Sequence, residues 1–365
     1  MNEHIKYMKV ALKEALKGKG NVSPNPLVGA VIVKNGKVIG KGAHLKYGRE
    51  HAEINAFNNC TESPVGADLY VTLEPCSHHG KTPPCTERII KEKISRVFIA
   101  TLDPFKEVNG SGVIKLRNAG IKVEVGMLES EAKIMNEFFL HFHNTGMPFI
   151  TIKSAISLDG SIATDTGDSK WITSAKSRRY VHQLRNDYDA VLVGRKTVEK
   201  DDPELTVRAV KGRNPKRIII DKDLKLDIGH KVLSDQFTDN TIILTSDNNK
   251  ISQKETILGN RGITILKIKV TDGSIDLKEA MKKLGDLGIN SIIVEGGGCT
   301  NSIFLKEKLA NRINLFIAPI IIGSSKKFTY DLGIKSVSES IRIVDKKMIK
   351  YGSDILINGK IEYTL

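Results

Sequence analysis

A chain of 365 residues is long for a single hydrophobic core and suits two domains, each large enough to bury a stable interior. Forty per cent apolar and 27% charged residues with only 11 prolines exclude a disordered or fibrous chain, and four cysteines are too few for a disulfide scaffold at this length. The net charge of +14 is spread along the sequence without a compact basic stripe, so it reads as solvated lysines on helix faces ahead of a phosphate-bearing ligand, with nucleic acid last.

In chain order, Ile5, Met8, Leu12 and Leu16 fall on one face of a helix over residues 3–17, which Gly18 and Gly20 end. Charged residues such as Lys6, Lys9 and Lys13 interrupt that stretch, so it holds no signal-peptide core. The most apolar run, 317–323, is far shorter than the roughly 20 residues of a membrane span, which predicts a cytoplasmic protein with no membrane contact. Residues 28–33 and 38–42 are β-rich runs flanking Asn35-Gly36, a pair suited to a type I′ turn. Helices from 51, over 84–93 and over 112–118 then alternate with strands at 69–73, 97–101 and 121–125, an α/β layout. One helix is expected over 129–143. It leads into Asn144-Thr145-Gly146-Met147-Pro148, where the boundary between domains 1–146 and 147–365 is placed. The second domain alternates again, with strands at 149–155, 190–193, 217–220, 241–244, 263–268, 291–294 and 313–322. Its helices are expected at 175–186, 277–287 and 302–308.

His51-Ala52-Glu53, Pro75-Cys76 and Pro84-Cys85 carry the chemistry of the first domain. One imidazole and two thiolates suit a tetrahedral Zn2+ whose fourth position stays open for water. His78 and His79 could close the site into a structural one. Against that, Glu53 lies two residues from His51, a poor place for a co-ligand and a good one for a proton carrier beside the water. His-x-Glu with Pro-Cys is a signature of zinc deaminases, here with eight residues between the two cysteines instead of two.

The block Pro75-Cys76-Ser77-His78-His79-Gly80-Lys81-Thr82-Pro83-Pro84-Cys85, with Ser23-Pro24-Asn25-Pro26-Leu27-Val28-Gly29 and Gly42-Ala43-His44, resembles the bifunctional riboflavin-biosynthesis deaminase-reductase family. The resemblance covers nearly the whole chain. It implies an N-terminal cytidine-deaminase-like three-layer α/β/α domain and a C-terminal dihydrofolate-reductase-like α/β domain. The implied reactions are loss of the 2-amino group of a 2,5-diamino-6-(phosphoribosylamino)pyrimidin-4-one, then NADPH-dependent reduction of the ribosyl group to a ribityl chain. By position it implies ring or phosphate contacts from Asn25, His44, His78 and Lys81, although a turn residue, a strand-end histidine and a solvated loop lysine are the plainer readings of Asn25, His44 and Lys81. Phe105 stands where the family has Asn after Asp103-Pro104.

In the second domain, the segments 153–160, 169–173 and 201–208 resemble the reductase half. The resemblance assigns Ser169, Arg185, Leu205, Arg208 and Glu295 to the phosphoribosylamino substrate, and Ala155, Trp171, Thr197, Asp201, Gly297 and Gly298 to NADPH. Lys153, at the end of the first strand, is expected to touch the substrate and to polarise its carbonyl or donate a proton to it. Glu295-Gly296-Gly297-Gly298 follows a strand and precedes a helix, a junction that brings backbone N–H groups to a phosphate. It is not the G-x-G-x-x-G fingerprint, so a Rossmann domain lacks its main support. Cys299 departs from the small residues expected after the glycines. The expected partner is a small phosphoribosylaminopyrimidine, with no nucleic acid; a homo-oligomer is left open. Two rivals remain at this point: a nucleic-acid deaminase with an accessory domain, and a structural zinc module joined to a nucleotide sensor.

Overall fold

In a computed structural model of the chain, residues 2–79, 83–105, 109–249 and 253–364 are described. The chain divides into two compact units, Met1–Gly146 and Met147–Leu365.

The first unit is built on a five-stranded sheet. Its elements are α1 (Asn2–Ala15), β1 (Gly29–Lys34), β2 (Lys37–Ala43), α2 (Ala52–Asn58), β3 (Asp68–Val71), α3 (Cys85–Lys91), β4 (Arg96–Ile99), α4 (Ser111–Asn118) and β5 (Lys122–Val125), followed by α5 (Glu129–Met135) and α6 (Glu137–Thr145). The sheet runs β2-β1-β3-β4-β5, antiparallel at β2/β1 and β1/β3 and parallel beyond. The β1/β2 hairpin turns at Asn35 and Gly36 with φ of 50° and 76°, the doubly left-handed backbone that a type I′ turn requires. Side chains alternate across the sheet with period two. Ala30, Ile32, Leu69, Val71, Val97 and Ile99 pack with Ala52, Ala56, Ile89 and Leu116 of α2, α3 and α4. Val31, Val33, Tyr70 and Phe98 meet Tyr7, Met8 and Ala11 of α1 and Ala132 of α5 on the other face. Both faces are covered, which gives the three-layer α/β/α architecture.

The helix expected over 129–143 is broken at Asn136 (φ −107°, ψ 24°). Its side chain accepts from Leu27 N at 2.8 Å and donates to Leu27 O at 2.9 Å. Tertiary hydrogen bonds therefore override a local pattern that is helical throughout.

The second unit holds β6 (Phe149–Ser157), α7 (Ala175–Asp187), β7 (Ala190–Gly194), α8 (Arg195–Asp201), β8 (Lys216–Ile220), α9 (Lys231–Ser234), β9 (Thr241–Ser246), α10 (Gln253–Asn260) and β10 (Thr264–Ile268). The hairpin β11 (Val270–Thr271) and β12 (Ser274–Ile275) precedes α11 (Leu277–Asp286), β13 (Ser291–Val294), α12 (Gly298–Lys306), β14 (Arg312–Ala318), β15 (Arg342–Tyr351) and β16 (Asp354–Glu362). Nine strands form one sheet in the order β10-β9-β8-β7-β13-β6-β14-β16-β15, parallel from β10 to β14 and antiparallel at β14/β16 and β16/β15. The parallel strands read as unbroken apolar runs because both faces are buried. Ile152, Leu192, Ile218, Ile242 and Val294 pack with Met281 and Leu284 of α11 and Phe304 of α12, while Val191, Val193, Ile219 and Ile293 are buried on the opposite face. Two boundaries differ by four residues from the expected ones. β14 stops at Ala318, ahead of Pro319, which has no N–H for a ladder. α12 starts at Gly298, four residues earlier than its apolar pattern suggests.

Candidate metal centre and reductase site

The first unit gathers its chemistry at the N-terminal ends of two helices. His51 is the N-cap residue of α2, Glu53 lies in its first turn, and Cys85 opens α3. His51 Nδ1 lies 3.6 Å from Cys76 Sγ and 3.3 Å from Cys85 Sγ, and all three ligand atoms lie within 4.8 Å of one another. A tetrahedral zinc with ordinary Zn–N and Zn–S lengths holds N and S about 3.6 Å apart, so the three residues fit the ion. Among the described residues no fourth His, Cys or carboxylate joins the group. His79 faces Glu87 at 3.5 Å instead, and His78 lines the adjoining cavity. A structural four-ligand site therefore finds no support in the described residues.

Of the three ligands, Cys76 is the one poised as an anion. The Cys76 thiol is lowered by hydrogen bonding from Cys85, whose backbone N–H also points at Cys76 Sγ at 3.3 Å, while Cys85 is pushed up by its hydrogen bond with Cys76 and by burial. His51 is raised to about 8 by its contact with Cys76. Burial drives the Glu53 carboxyl up to about 7, against the pull of His51. The Glu53 side chain contacts Cys85 and lines a cavity of about 360 Å³, within the usual size of a small-molecule site.

Asn25, His44 and His78 line the same cavity; Lys81 lies outside the described residues. The Glu50 carbonyl can only accept, so His44 donates to it from Nδ1 (3.0 Å) and accepts from Asn25 Nδ2 at Nε2 (3.2 Å). Burial lowers the His44 imidazole and keeps it neutral.

The sequence reading missed Arg49, Phe139 and His143, which also line the cavity, as does Asp103 of the Asp103-Pro104 pair. The i, i+4 spacing of Phe139 and His143 on α6 was the available signal. Phe105 joins them, its ring edge-on to His143 with centroids 5.7 Å apart. The 103–113 segment is tied to Glu74, whose buried carboxylate accepts from the N–H groups of Asp103 (3.3 Å), Gly110 (2.9 Å), Gly112 (2.9 Å) and Val113 (3.2 Å).

In the second unit, Gly194 ends β7 and Glu295 follows β13, at the carboxyl ends of adjacent parallel strands, where open α/β sheets bind ligands. Lys153 is not at the end of its strand as expected but midway along β6, which continues to Ser157 in pairing with β14, and it stands level with the end of β13. Arg185 of α7 grips Glu295 with two hydrogen bonds, 2.7 Å from Nε and 3.0 Å from Nη2, and Lys153 Nζ lies 3.4 Å from the same carboxylate. Burial pushes Glu295 up, but the two cations outweigh it and bring the carboxyl down to about 2. The bidentate edge of Arg185 is thus occupied, whereas Arg208 is exposed and makes a longer contact, from Nη1 to Glu204 Oε2 at 3.4 Å.

Buried Leu205 and exposed Arg208 lie on the irregular segment after α8, Ser169 is half-buried ahead of α7, and Ala155 is half-buried on β6. Trp171 is largely exposed, with the Arg178 guanidinium 4.3 Å from its ring centre. Thr197 and Asp201 lie on α8. Gly297 is the N-cap of α12, with open space around it, whereas a Cβ on Gly298 would meet Lys327 O at 2.4 Å. The first-turn N–H groups of α12 have no side-chain cap among the described residues. They face the strand ends, which fits the diphosphate of a dinucleotide such as NADPH. Beside them Cys299 is exposed and lines a cavity of about 230 Å³ with Thr300, Ile303 and Lys222.

A zinc-ligand deaminase fold followed by a reductase fold defines a bifunctional deaminase-reductase. Residues 1–101 match the cytidine and deoxycytidylate deaminase zinc-binding region and residues 148–357 the RibD C-terminal domain. The chain is 48% identical over 352 residues to the riboflavin biosynthesis protein RibD of Aquifex aeolicus, covering 96% of both chains, and 36% identical to that of Escherichia coli, covering 96% of this chain and 98% of the other. Acinetobacter baumannii RibD superposes with a TM-score of 0.89 at 33% identity, covering 99% of each chain. A Thermotoga maritima diaminohydroxyphosphoribosylaminopyrimidine deaminase/5-amino-6-(5-phosphoribosylamino)uracil reductase does so with 0.85 at 38% identity, also over 99% of each. The chain belongs to the RibD family of riboflavin biosynthesis proteins.

Proposed function

We propose that the first unit deaminates 2,5-diamino-6-(5-phosphoribosylamino)pyrimidin-4(3H)-one to 5-amino-6-(5-phosphoribosylamino)uracil, and that the second reduces its ribosyl group to ribityl. The observation that carries the first half is the His51–Cys76–Cys85 triangle with Glu53 in contact with one ligand and facing the cavity. Zinc held by those three residues lowers the pKa of a water at its open position. Glu53 would carry the two protons of the attacking water in turn, the first to the ring nitrogen and the second, as the carbonyl forms and the C–N bond breaks, to the amino group that leaves as ammonia. Asn25 and the neutral His44 orient the ring, and His78 and Lys81 serve its polar substituents and phosphate. A cavity of small-molecule size supports a free pyrimidine as substrate over a nucleic acid, in a cytoplasmic enzyme that is free to form a homo-oligomer. Among the described residues no helix is long and apolar enough to cross a membrane.

In the second unit NADPH supplies hydride to the opened ribose. Lys153 holds the substrate carbonyl, Glu295, itself gripped by Arg185, fixes the Lys153 ammonium, and Ser169, Leu205 and Arg208 bind the phosphoribosylamino chain. Ala155, Trp171, Thr197, Asp201, Gly297 and Gly298 form the cofactor's bed. Glu53→Ala tests the division of labour: the variant keeps zinc and stops ammonia release, while NADPH oxidation with deaminated substrate continues. Unchanged ammonia release, or loss of both activities in a folded chain, refutes it.

A further inference from the structure

The segment after α8 carries the reductase's substrate residues without regular secondary structure, so side chains must hold its backbone. Leu205 is buried, 3% exposed, and sits at φ +55°, a left-handed conformation that costs a branched L-residue about 1–2 kcal/mol. Such strain persists only where neighbours enforce it. The Glu204 carbonyl is held by Arg217 Nη1 at 3.2 Å and Val207 N by Asn214 Oδ1 at 2.8 Å. Between these two anchors the Thr206 carbonyl accepts from two donors on α7, Arg185 Nη1 at 3.2 Å and His182 Nδ1 at 3.1 Å.

His182 and Arg185 are three residues apart and share a helix face. Arg185 is oriented by Glu295, so its hold on Thr206 follows the active-site ion cluster. His182 supplies an anchor of its own, from a half-buried ring. The same Nδ1 lies 3.4 Å from Arg208 N, but its shorter approach is to the Thr206 carbonyl, which only accepts, so the Nδ1 bears the proton. Burial, Arg185 on the same helix and Arg208 across the loop all lower the imidazole pKa, and the Thr206 carbonyl and Glu295 oppose them, leaving the net direction downward. The ring is therefore a neutral Nδ1–H donor at neutral pH.

We infer that His182 is a positioning residue of the reductase: its Nδ1–H holds the Thr206 carbonyl, and so keeps the left-handed turn that presents Leu205 and Arg208 to the substrate. The inference rests on the assignment of Leu205 and Arg208 to the phosphoribosylamino group. Two isosteric substitutions isolate the hydrogen bond. Asparagine places an amide N–H where Nδ1–H was, whereas glutamine places it near the Nε2 position.

With NADPH saturating, His182→Ala and His182→Gln are expected to raise the KM for 5-amino-6-(5-phosphoribosylamino)uracil about 5- to 10-fold, the usual effect of one lost hydrogen bond, with kcat, NADPH KM and ammonia release unchanged. His182→Asn should stay within about 2-fold of the parent chain. An unchanged KM in His182→Gln, or an Asn variant raised as far as Gln, overturns the inference; this pair decides the matter even where His182→Ala does not fold. Arg208→Ala is the separate control: a KM that does not move there overturns the substrate assignment itself.

Discussion

Glu295→Gln keeps the shape of a buried carboxylate and deletes its charge, leaving Arg185 and Lys153 facing a neutral amide. The side chains of all three are largely buried, at 9%, 12% and 15% exposure, so water compensates little. The drop of the carboxyl from 4.5 to about 2 corresponds to about 3 kcal/mol of folded-state stability. Removing one member of a buried ion pair costs about 3–5 kcal/mol in general, which agrees. We expect a loss of about 3 kcal/mol near pH 7. Trp171 is the only tryptophan of the chain and lies in the second unit, so its fluorescence follows urea unfolding of that unit alone. The folded-state value is depressed, so the stabilisation is fully present above about pH 4.5 and is lost as the pH falls through about 2. Parent and variant curves should converge across that window. A loss below about 1 kcal/mol near neutrality, or a gap of constant size down to about pH 3, refutes the account.

Two further outcomes are expected. Asn136→Ala removes both hydrogen bonds to Leu27 and should destabilise the first unit by about 2 kcal/mol, read as faster amide exchange at Leu27 and a lower melting temperature by circular dichroism. Gly298→Ala forces a Cβ against Lys327 O and should raise the KM for NADPH about tenfold with ammonia release unaffected; an unchanged KM would show that the cofactor does not use this junction.

The metal ligands were legible in the sequence because their chemistry is carried by rare residue types in short blocks, which the N-terminal ends of α2 and α3 and the chain after β3 bring together. Strands whose both faces are buried, such as Ser291–Val294, were legible for a related reason: the apolar run is short, continuous and bounded by turns. What escaped depended on partners remote in sequence. The break at Asn136 is made by Leu27, more than a hundred residues away. The C-terminal hairpin was missed because β15 is an edge strand with most side chains exposed, and an irregularity between Val344 and Lys347 upsets its period-two pattern. His182 was passed over as one polar residue on a helix, since its meaning comes from the carbonyl it meets. The occupied fork of Arg185 was equally invisible until Glu295 was placed beside it.

Glu74 is a neighbour of the Pro75-Cys76 pair and collects four amide protons of the segment that carries Asp103 and Phe105. The frame of one cavity wall is therefore bolted to the chain beside a zinc ligand through main-chain N–H groups, which every amino acid except proline possesses. Side chains on that wall can then be exchanged like panels, as with the aromatic ring at position 105, without the metal triangle losing its spacing. Diversification of what the pocket accepts is thereby uncoupled from preservation of how it reacts.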